Sequence, residues 1–324
     1  MAPQPLGAVL DFGALRCWFV DCARAHGAQL QLGSCVLTTE PAAQGMQTLI
    51  RHQDGKVEWV KSRWVVDATG ERRALLGEPD AKAGSLISGH GVEWLLQVRE
   101  DDEWERWSDR LAFFLGSAWV PYGYGWVFPM GGGRLKVGAC RLQGATRNPS
   151  SLGQALSRLL RHSRLDGARV LDRHGGRIRS TITRRESHGR GRLVGLGDAV
   201  STANLLGGEG IRHALASADQ LSPLLVAAVI GNREADQDPS QLQRLYRKRL
   251  QRELGWRWNL SGRLACRTWL GLGDGDSNSP GDQRLEQLLR SLQNSKAEDL
   301  SALLFDYRFE RYGLKALPYL CGWR

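Results

Sequence analysis

The sequence predicts a mixed α/β (α+β) chain in which a strand–turn–helix layer is interrupted by an antiparallel sheet and followed by a helical C-terminal region. Three observations carry this. In residues 192–219, RLVGLGDAVSTANLLGGEGIRHALASAD, a short apolar run Leu193–Leu196 meets a Gly197-Asp198-Ala199 turn, a loop, Gly207-Gly208-Glu209-Gly210, and a helical pattern from Ile211. Between Ser85 and Leu142, four segments alternate and are separated by turn residues. From Asn232 onward the chain is basic and helical in period.

Phe12 to His26 reads as a helix, because Leu15, Phe19, Cys22 and Ala23 recur at helical spacing and Gly27 ends it. Ala28 to Leu37 reads as a strand. Met46–Gln53 and Lys56–Val66 read as a hairpin around Asp54-Gly55, with Trp64, Val65 and Val66 leading into Asp67-Ala68-Thr69-Gly70. Val92–Val98, Leu111–Gly116, Tyr124–Met130 and Leu135–Leu142 read as four antiparallel strands, and Ser151–Arg164 as a helix. Pro223 is expected to kink or end the helix that starts at Ile211. Leu242, Leu245, Tyr246, Leu250 and Leu254 form an apolar stripe flanked by Arg244, Arg247, Lys248, Arg249 and Arg252. Such a helix fits either a domain surface or an anionic membrane surface. Residues 271–283 read as a loop whose acidic residues lack the spacing of a calcium site.

Composition narrows the function classes. The chain has 324 residues, 42% of them hydrophobic, and a net charge of +10. That suits a globular enzyme and favours acidic or phosphate-bearing partners. The arginines are scattered and no RNA-binding signature accompanies them, so no nucleic-acid partner is expected. Cys17, Cys22, Cys35, Cys140, Cys266 and Cys321 form no Cys-x-x-Cys pair, and the seven histidines are dispersed, so no metal site is expected. With no signal-peptide pattern at the start, free thiols and a reducing, cytoplasmic setting follow. The longest strongly apolar stretch, Leu224–Ile230, is too short to cross a bilayer.

The 192–219 stretch carries the chemistry. It sets one carboxylate, Asp198, at a strand end and small residues at a helix start. Helix N-termini offer free N–H donors and partial positive charge. Glycines let a planar or anionic ligand approach the backbone. A carboxylate accepts hydrogen bonds from ligand hydroxyls. These parts suit a nucleotide cofactor with a polyol chain and an electron-rich ring, which describes FAD. An ordinary capped turn is the plainer alternative.

The stretch resembles the second FAD motif of the flavoprotein monooxygenase superfamily, and most closely its geranylgeranyl reductase branch. The resemblance implies that Asp198, flanked by Gly197 and Ala199, holds the ribityl chain, and that Gly207, Gly208 and Gly210 face the flavin ring. VVDATGERRALLG at 65–77 resembles the family's Asp-Ala-Thr-Gly motif, which implies that Asp67 and Gly70 lie near the pyrophosphate. The motif usually continues to a Ser and an Arg; here Arg72, Arg73 and Ala74 follow. GYGWVFPMGGGRLKVGACRL at 123–142 resembles the Gly-Tyr-x-Trp-x-Phe-Pro segment of geranylgeranyl reductases, which implies that Tyr124, Trp126, Phe128 and Pro129 wall the substrate cavity. Alternation puts Tyr124, Trp126 and Phe128 on one face.

The resemblance implies a partial FAD-binding Rossmann-like domain: residues 1–84 as the remainder of its first half, 85–180 as an inserted antiparallel substrate-binding domain, 181–232 as its second half, and 233–324 as a helical C-terminal region. It implies reduction of double bonds in a long, apolar isoprenoid, with NAD(P)H as electron donor and peripheral contact with a membrane surface. Flavin-dependent hydroxylation and a lycopene cyclase-like activity are alternatives. Flavin halogenases carry Trp-x-Trp-x-Ile-Pro where this chain has Tyr124, Trp126, Phe128 and Pro129. No Gly-x-Gly in the chain has a third glycine at the offset of the family's opening G-x-G-x-x-G unit. An upstream start is the simplest expectation; a non-catalytic or lipid-binding remnant is the alternative from another class.

Overall fold

The computed structural model describes residues 7–79, 86–99, 102–143, 151–230, 238–273 and 279–310. Cys321, the first six residues and the centre of the 271–283 loop lie outside them. Helix α1 (Phe12–Ala25) is capped by Asp11, whose carboxylate accepts the Ala14 N–H. It buries none of its residues, and Phe12, Trp18 and Phe19 are exposed. Strand β1 (Cys35–Ala42) follows, later than the expected Ala28 start. Residues 28–34 pair with no strand, and Leu30 and Leu32 stay exposed.

Strands β1, β2 (Gly45–Arg51) and β3 (Val57–Ser62) form an antiparallel meander. The expected single strand from Lys56 to Val66 is broken after Ser62. There the chain leaves the meander, and β4 (Val65–Asp67) joins a different sheet. In that sheet β10 (Gly189–Arg190) and β11 (Leu193–Gly195) precede the second motif, and β4 pairs with β11 in parallel. Among the described residues no strand pairs with the other side of β4.

Between β4 and β10 the chain builds a five-stranded antiparallel sheet in the order β6-β7-β8-β5-β9. Its strands are β5 (Ile87–Gln97), β6 (Ala112–Leu115), β7 (Gly123–Gly131), β8 (Arg134–Leu142) and β9 (Arg169–Ser180). A single turn, α2 (Asp102–Glu105), precedes β6. Sequence reading misses β9: it is a charged, mostly exposed edge strand, so no apolar alternation marks it. Helix α3 (Leu152–His162) starts at a Ser151/Gln154 capping box and packs Leu156, Leu159 and Leu160 on one face of this sheet with Val127, Leu135 and Val137.

Helix α4 (Ile211–Ile230) continues through Pro223, so Pro223 does not end it. Its 20 residues are long enough and on average apolar enough to cross a membrane, although Arg212, His213 and Asp219 lie in its first half; Leu224–Ile230 is its C-terminal end. Its Leu221 packs with Val194, Val200, Leu242, Tyr246 and Leu250. Helix α5 (Pro239–Trp269) supplies the last three, so most of its apolar stripe faces inward; Leu245 remains exposed. Gly255, at φ 64° and ψ −170°, breaks α5 into two rods. Helices α6 (Pro280–Leu292) and α7 (Ala297–Phe305) complete the helical C-terminal region. The five described cysteines, Cys17, Cys22, Cys35, Cys140 and Cys266, are free thiols. Among the described residues no cluster of His, Cys, Asp or Glu could hold a metal.

Candidate functional site

The register of the parallel pair sets the site. Gly195 lies opposite Asp67, and the Leu196 N–H donates to the Asp67 carbonyl at 2.9 Å. The two turns that leave these strands, Asp67–Gly70 and Gly197–Ala199, therefore emerge side by side.

The two carboxylates at the strand ends differ in what they hold. Asp67 is fully buried and saturated: Oδ1 accepts from the Thr69 N–H and hydroxyl, Oδ2 from the N–H groups of Leu75 and Leu76. Burial pushes its pKa up, but these four hydrogen bonds outweigh it and leave the pKa lowered. Asp67 thus fixes its own loop. Gly70, at φ 72°, has open space where a side chain would stand. Asp198 accepts one hydrogen bond, from the Thr202 hydroxyl at 3.2 Å. Burial raises its pKa, opposed by Thr202, with nearby Glu71 adding to the rise. A β-carbon on Gly210 would lie 3.7 Å from both of its carboxylate oxygens. Asp198 is a desolvated carboxylate with acceptor capacity to spare, facing glycine.

Two buried guanidiniums hold the Asp198 turn. Arg73, 1% exposed and in the left-handed region, donates Nη1 to Ala199 O at 2.5 Å, Nε to Gly77 O and Nη2 to Ser187 O. Arg184 donates to Val200 O at 2.6 Å and Ser201 O at 3.0 Å. Both thereby satisfy carbonyls at the end of the 3-10 turn Gly197–Val200. Arg73 occupies the place where the sequence departs from the expected Ser-Arg pattern. The departure is visible in the sequence, but the bridging role needs the distant carbonyls of Ser187 and Ala199.

The glycine-rich loop meets the aromatic wall. Gly208, at φ 64°, lies against Tyr124: a β-carbon there would stand 3.0 Å from the hydroxyl. Ring centroids place Tyr124 5.9 Å from Trp126, Trp126 6.2 Å from Phe128, and Phe113 of β6 5.2 Å from Phe128. The three alternating aromatics share one face, whereas Pro129 alternates with Val127 onto the opposite one, so it does not join this row. Trp126 donates Nε1 to Glu93 at 3.0 Å and its ring covers Gly138, where a β-carbon would come within 2.2 Å of it. Burial raises the Tyr124 pKa well above the phenol value and, beside it, pushes the Cys140 thiol up to about 12.

Glu209 of the same loop reaches the C-terminal segment. Its Oε2 accepts from Arg212 at 2.7 Å and from the Tyr307 hydroxyl at 2.8 Å. The Tyr307 hydroxyl lies 3.1 Å from His213 Nε2, and Arg212 reaches Asp306 and the Phe305 carbonyl. Burial, with Arg212 and Arg184 nearby, lowers the His213 pKa to about 4. His213 is then neutral, and Tyr307, donating to Glu209, can accept from Nε2–H. No local pattern connects residues 209 and 307, so sequence reading could not pair them.

No family model matches the chain. It is 28% identical over 255 residues to a digeranylgeranylglycerophospholipid reductase of Haloferax volcanii, covering 74% of this chain and 59% of the relative. A second such reductase, of Methanothermobacter thermautotrophicus, is 28% identical over 60% of this chain and 46% of its own. The chain thus spans about half to three fifths of the length of the curated relatives it matches. Among solved structures, a geranylgeranyl bacteriochlorophyll reductase-like protein of Thermoplasma acidophilum superposes with a TM-score of 0.68 at 20% identity, over 95% of this chain and 74% of that one. The sequence is therefore similar to digeranylgeranylglycerophospholipid reductases, and the chain shares its fold with the Thermoplasma acidophilum protein.

Proposed function

We propose that the protein is an FAD-dependent oxidoreductase that reduces carbon–carbon double bonds of a long isoprenoid lipid, with NAD(P)H as electron donor. The observation that carries this is the placement of Asp198. A half-buried carboxylate with spare acceptors faces Gly210, while neighbouring Gly208 touches the head of the aromatic row. The residues fit the ribityl and ring half of FAD: Asp198 would accept from ribityl hydroxyls, and Gly207, Gly208 and Gly210 leave room where side chains would obstruct. The Asp67–Gly70 turn would lie toward the pyrophosphate, with Asp67 shaping the loop and Gly70 open to approach. Reduced FAD, when bound, supplies a hydride to one alkene carbon, while a proton from solvent or a neighbouring acid completes the other.

The chain's own share is positioning and exclusion of water. Tyr124, Trp126 and Phe128 offer an apolar wall for an extended hydrocarbon. The Tyr124 hydroxyl, kept protonated by burial, marks where wall and loop meet. Residues 85–180 would be the substrate domain, set between cofactor-binding residues 1–84 and 181–232. The free thiols support a reducing, cytoplasmic setting. The adenosine diphosphate half would take a strand–turn–helix unit on the open edge of β4, where Val66 is exposed.

Titration with FAD, FMN and riboflavin tests the reading. Binding through the ring and ribityl half predicts that FMN rivals FAD within about tenfold, and that Asp198→Ala weakens both by about 10- to 100-fold. An Asp198→Ala dissociation constant equal to wild type rejects it. A second reading, flavin-dependent hydroxylation, is favoured by the likeness in fold to the flavin-dependent monooxygenase PieE, with a TM-score of 0.60 at 18% identity over 90% of this chain and 50% of that one. Product analysis separates the two: a saturated chain for the reductase, an oxygenated product for the hydroxylase.

A further inference from the structure

We propose that Glu93 is a positioning residue that holds the Trp126 indole as a bar across the antiparallel sheet, and that this bar limits the length of hydrocarbon chain accepted beside the glycine-rich loop. The inference rests on the reading that this face carries the substrate, and it adds what bounds that substrate. The register puts the parts in line. Trp126 of β7 lies opposite Gly138 of β8, Gly138 opposite Glu93 of β5, and Glu93 opposite His174 of β9. All four share one rung and one face. The indole reaches from β7 to β5 only because residue 138 has no side chain: a β-carbon there would stand 2.2 Å from the ring. Trp126 Nε1 donates to Glu93 Oε2 at 3.0 Å. The other carboxylate oxygen, Oε1, lies 3.2 Å from Lys136 Nζ and 3.2 Å from His174 Nε2. His174 is tied in turn to Asp172 through Nδ1 at 3.0 Å. The Glu93 and Lys136 side chains are only 17% and 15% exposed, so the anchor of the indole is itself held in place.

The next rung toward the glycine-rich loop is a floor almost without side chains. It runs Tyr124, Cys140, Gly91, Gly176. A β-carbon on Gly91 would meet only the sheet itself, Cys140 Cβ at 3.6 Å and the Ala139 carbonyl at 3.8 Å. One on Gly176 would meet nothing within 4 Å among the described residues. A shallow trough therefore crosses the strands from the Tyr124 hydroxyl, beside Gly208, to the β9 edge. At about 4.8 Å per strand it spans about 14 Å. Trp126, Glu93 and His174 form its bank, and Phe128, Lys136 and Leu95 lie on the rung beyond. While the indole is held, a chain in the trough cannot turn along the strands toward Phe128. Once it is released, a longer chain gains that second stretch of apolar contact.

The test is calorimetric titration of the full chain with prenyl alcohols of increasing length: geraniol, farnesol and geranylgeraniol. In E93A the indole loses its anchor, and the ratio of dissociation constants should shift in favour of geranylgeraniol over farnesol by about tenfold. E93Q keeps an acceptor oxygen for the indole N–H and should hold the ratio within about threefold of wild type. W126F has no N–H to hold, so it should shift the ratio as E93A does, and E93A/W126F should shift it no further. Circular dichroism identical to wild type certifies each variant as folded, and W126F carries the test if E93A does not fold. A W126F or E93A ratio equal to wild type overturns the inference. So do shifts that add in the double variant, or no binding of any of the alcohols. FMN titration of the wild type keeps the two readings apart. A Glu93-dependent ratio without flavin binding rejects the flavin reading alone; flavin binding with a Glu93-independent ratio rejects the bar alone.

Discussion

The Tyr124 hydroxyl stands where a side chain on Gly208 would have to go, 3.0 Å from its β-carbon position. Residue 208 also has φ 64°, which costs about 1–2 kcal/mol for a residue with a β-carbon. The contact joins β7 to the glycine-rich loop across 84 positions of sequence, so the wall and the loop constrain each other.

Gly208→Ala should destabilise the fold by about 2–3 kcal/mol, combining backbone strain with the clash. Tyr124→Phe removes the obstructing oxygen. In that background the same substitution should cost about 1 kcal/mol less, leaving the backbone part alone. Urea denaturation of the four proteins measures the coupling. Identical costs in both backgrounds would show that the hydroxyl is not what excludes a side chain.

Asp198 should trade stability for binding. Burial raises its pKa, so between its ordinary value near 3.8 and the raised one the folded state holds more proton than the unfolded state. Stability contributed by this group therefore falls as pH rises through that window and stays lower at neutral pH. Asp198→Asn, which keeps the shape and never ionises, should be at least as stable as wild type at pH 7 and lose that advantage near pH 3. The same variant should bind flavin more weakly. A loss of stability at pH 7 would mean that the carboxylate is held by contacts stronger than the single Thr202 bond.

The sequence shows the two turns and the aromatic strand because each is local. Gly197-Asp198-Ala199, Gly207–Gly210 and Tyr124-x-Trp126-x-Phe128 are contiguous and their periods are set by strand and helix geometry. It does not show what braces them. Arg73 and Arg184 reach carbonyls as far as 126 and 17 residues away, and Tyr307 reaches Glu209 from the C-terminal segment. The same limit explains β9, whose partner is β5 and whose side chains are mostly wet. It also explains Asp67, placed near the cofactor by resemblance but spending all its hydrogen bonds on Thr69, Leu75 and Leu76.

Acid should unlock the Glu209 corner through His213. Its folded pKa is about 4 against 6.5 for an ordinary histidine, so between those values the unfolded state binds the extra proton. Stability then rises with pH across that window, and the stabilising contribution is lost as pH falls from 6.5 toward 4. Two and a half pH units correspond to about 3 kcal/mol. His188 is also lowered by burial and contributes with the same sign. His213→Gln should flatten the decline by about 3 kcal/mol at pH 4, read from urea midpoints at several pH values. An unchanged pH profile would place the acid sensitivity at His188 or elsewhere.

Arg73 offers the sharpest test of how the two turns are held together. Its guanidinium donates to Gly77, Ala199 and Ser187, which lie on three separate segments. Burial lowers its pKa, with Glu186 the strongest opposing charge, yet an arginine stays ionised at any pH where the protein folds. A lysine keeps the charge but offers a compact ammonium that cannot reach all three carbonyls in a planar fork. Arg73→Lys should therefore cost about 2–4 kcal/mol, from one or two buried carbonyls left unpaired. The damage should be local before it is global. Hydrogen exchange should quicken first at Leu75, Leu76 and Ser201, whose amide N–H groups bond to Asp67 and to the Asp198 carbonyl. If those amides exchange as in wild type while global stability falls, Arg73 supports the fold as a whole rather than the junction of its two turns.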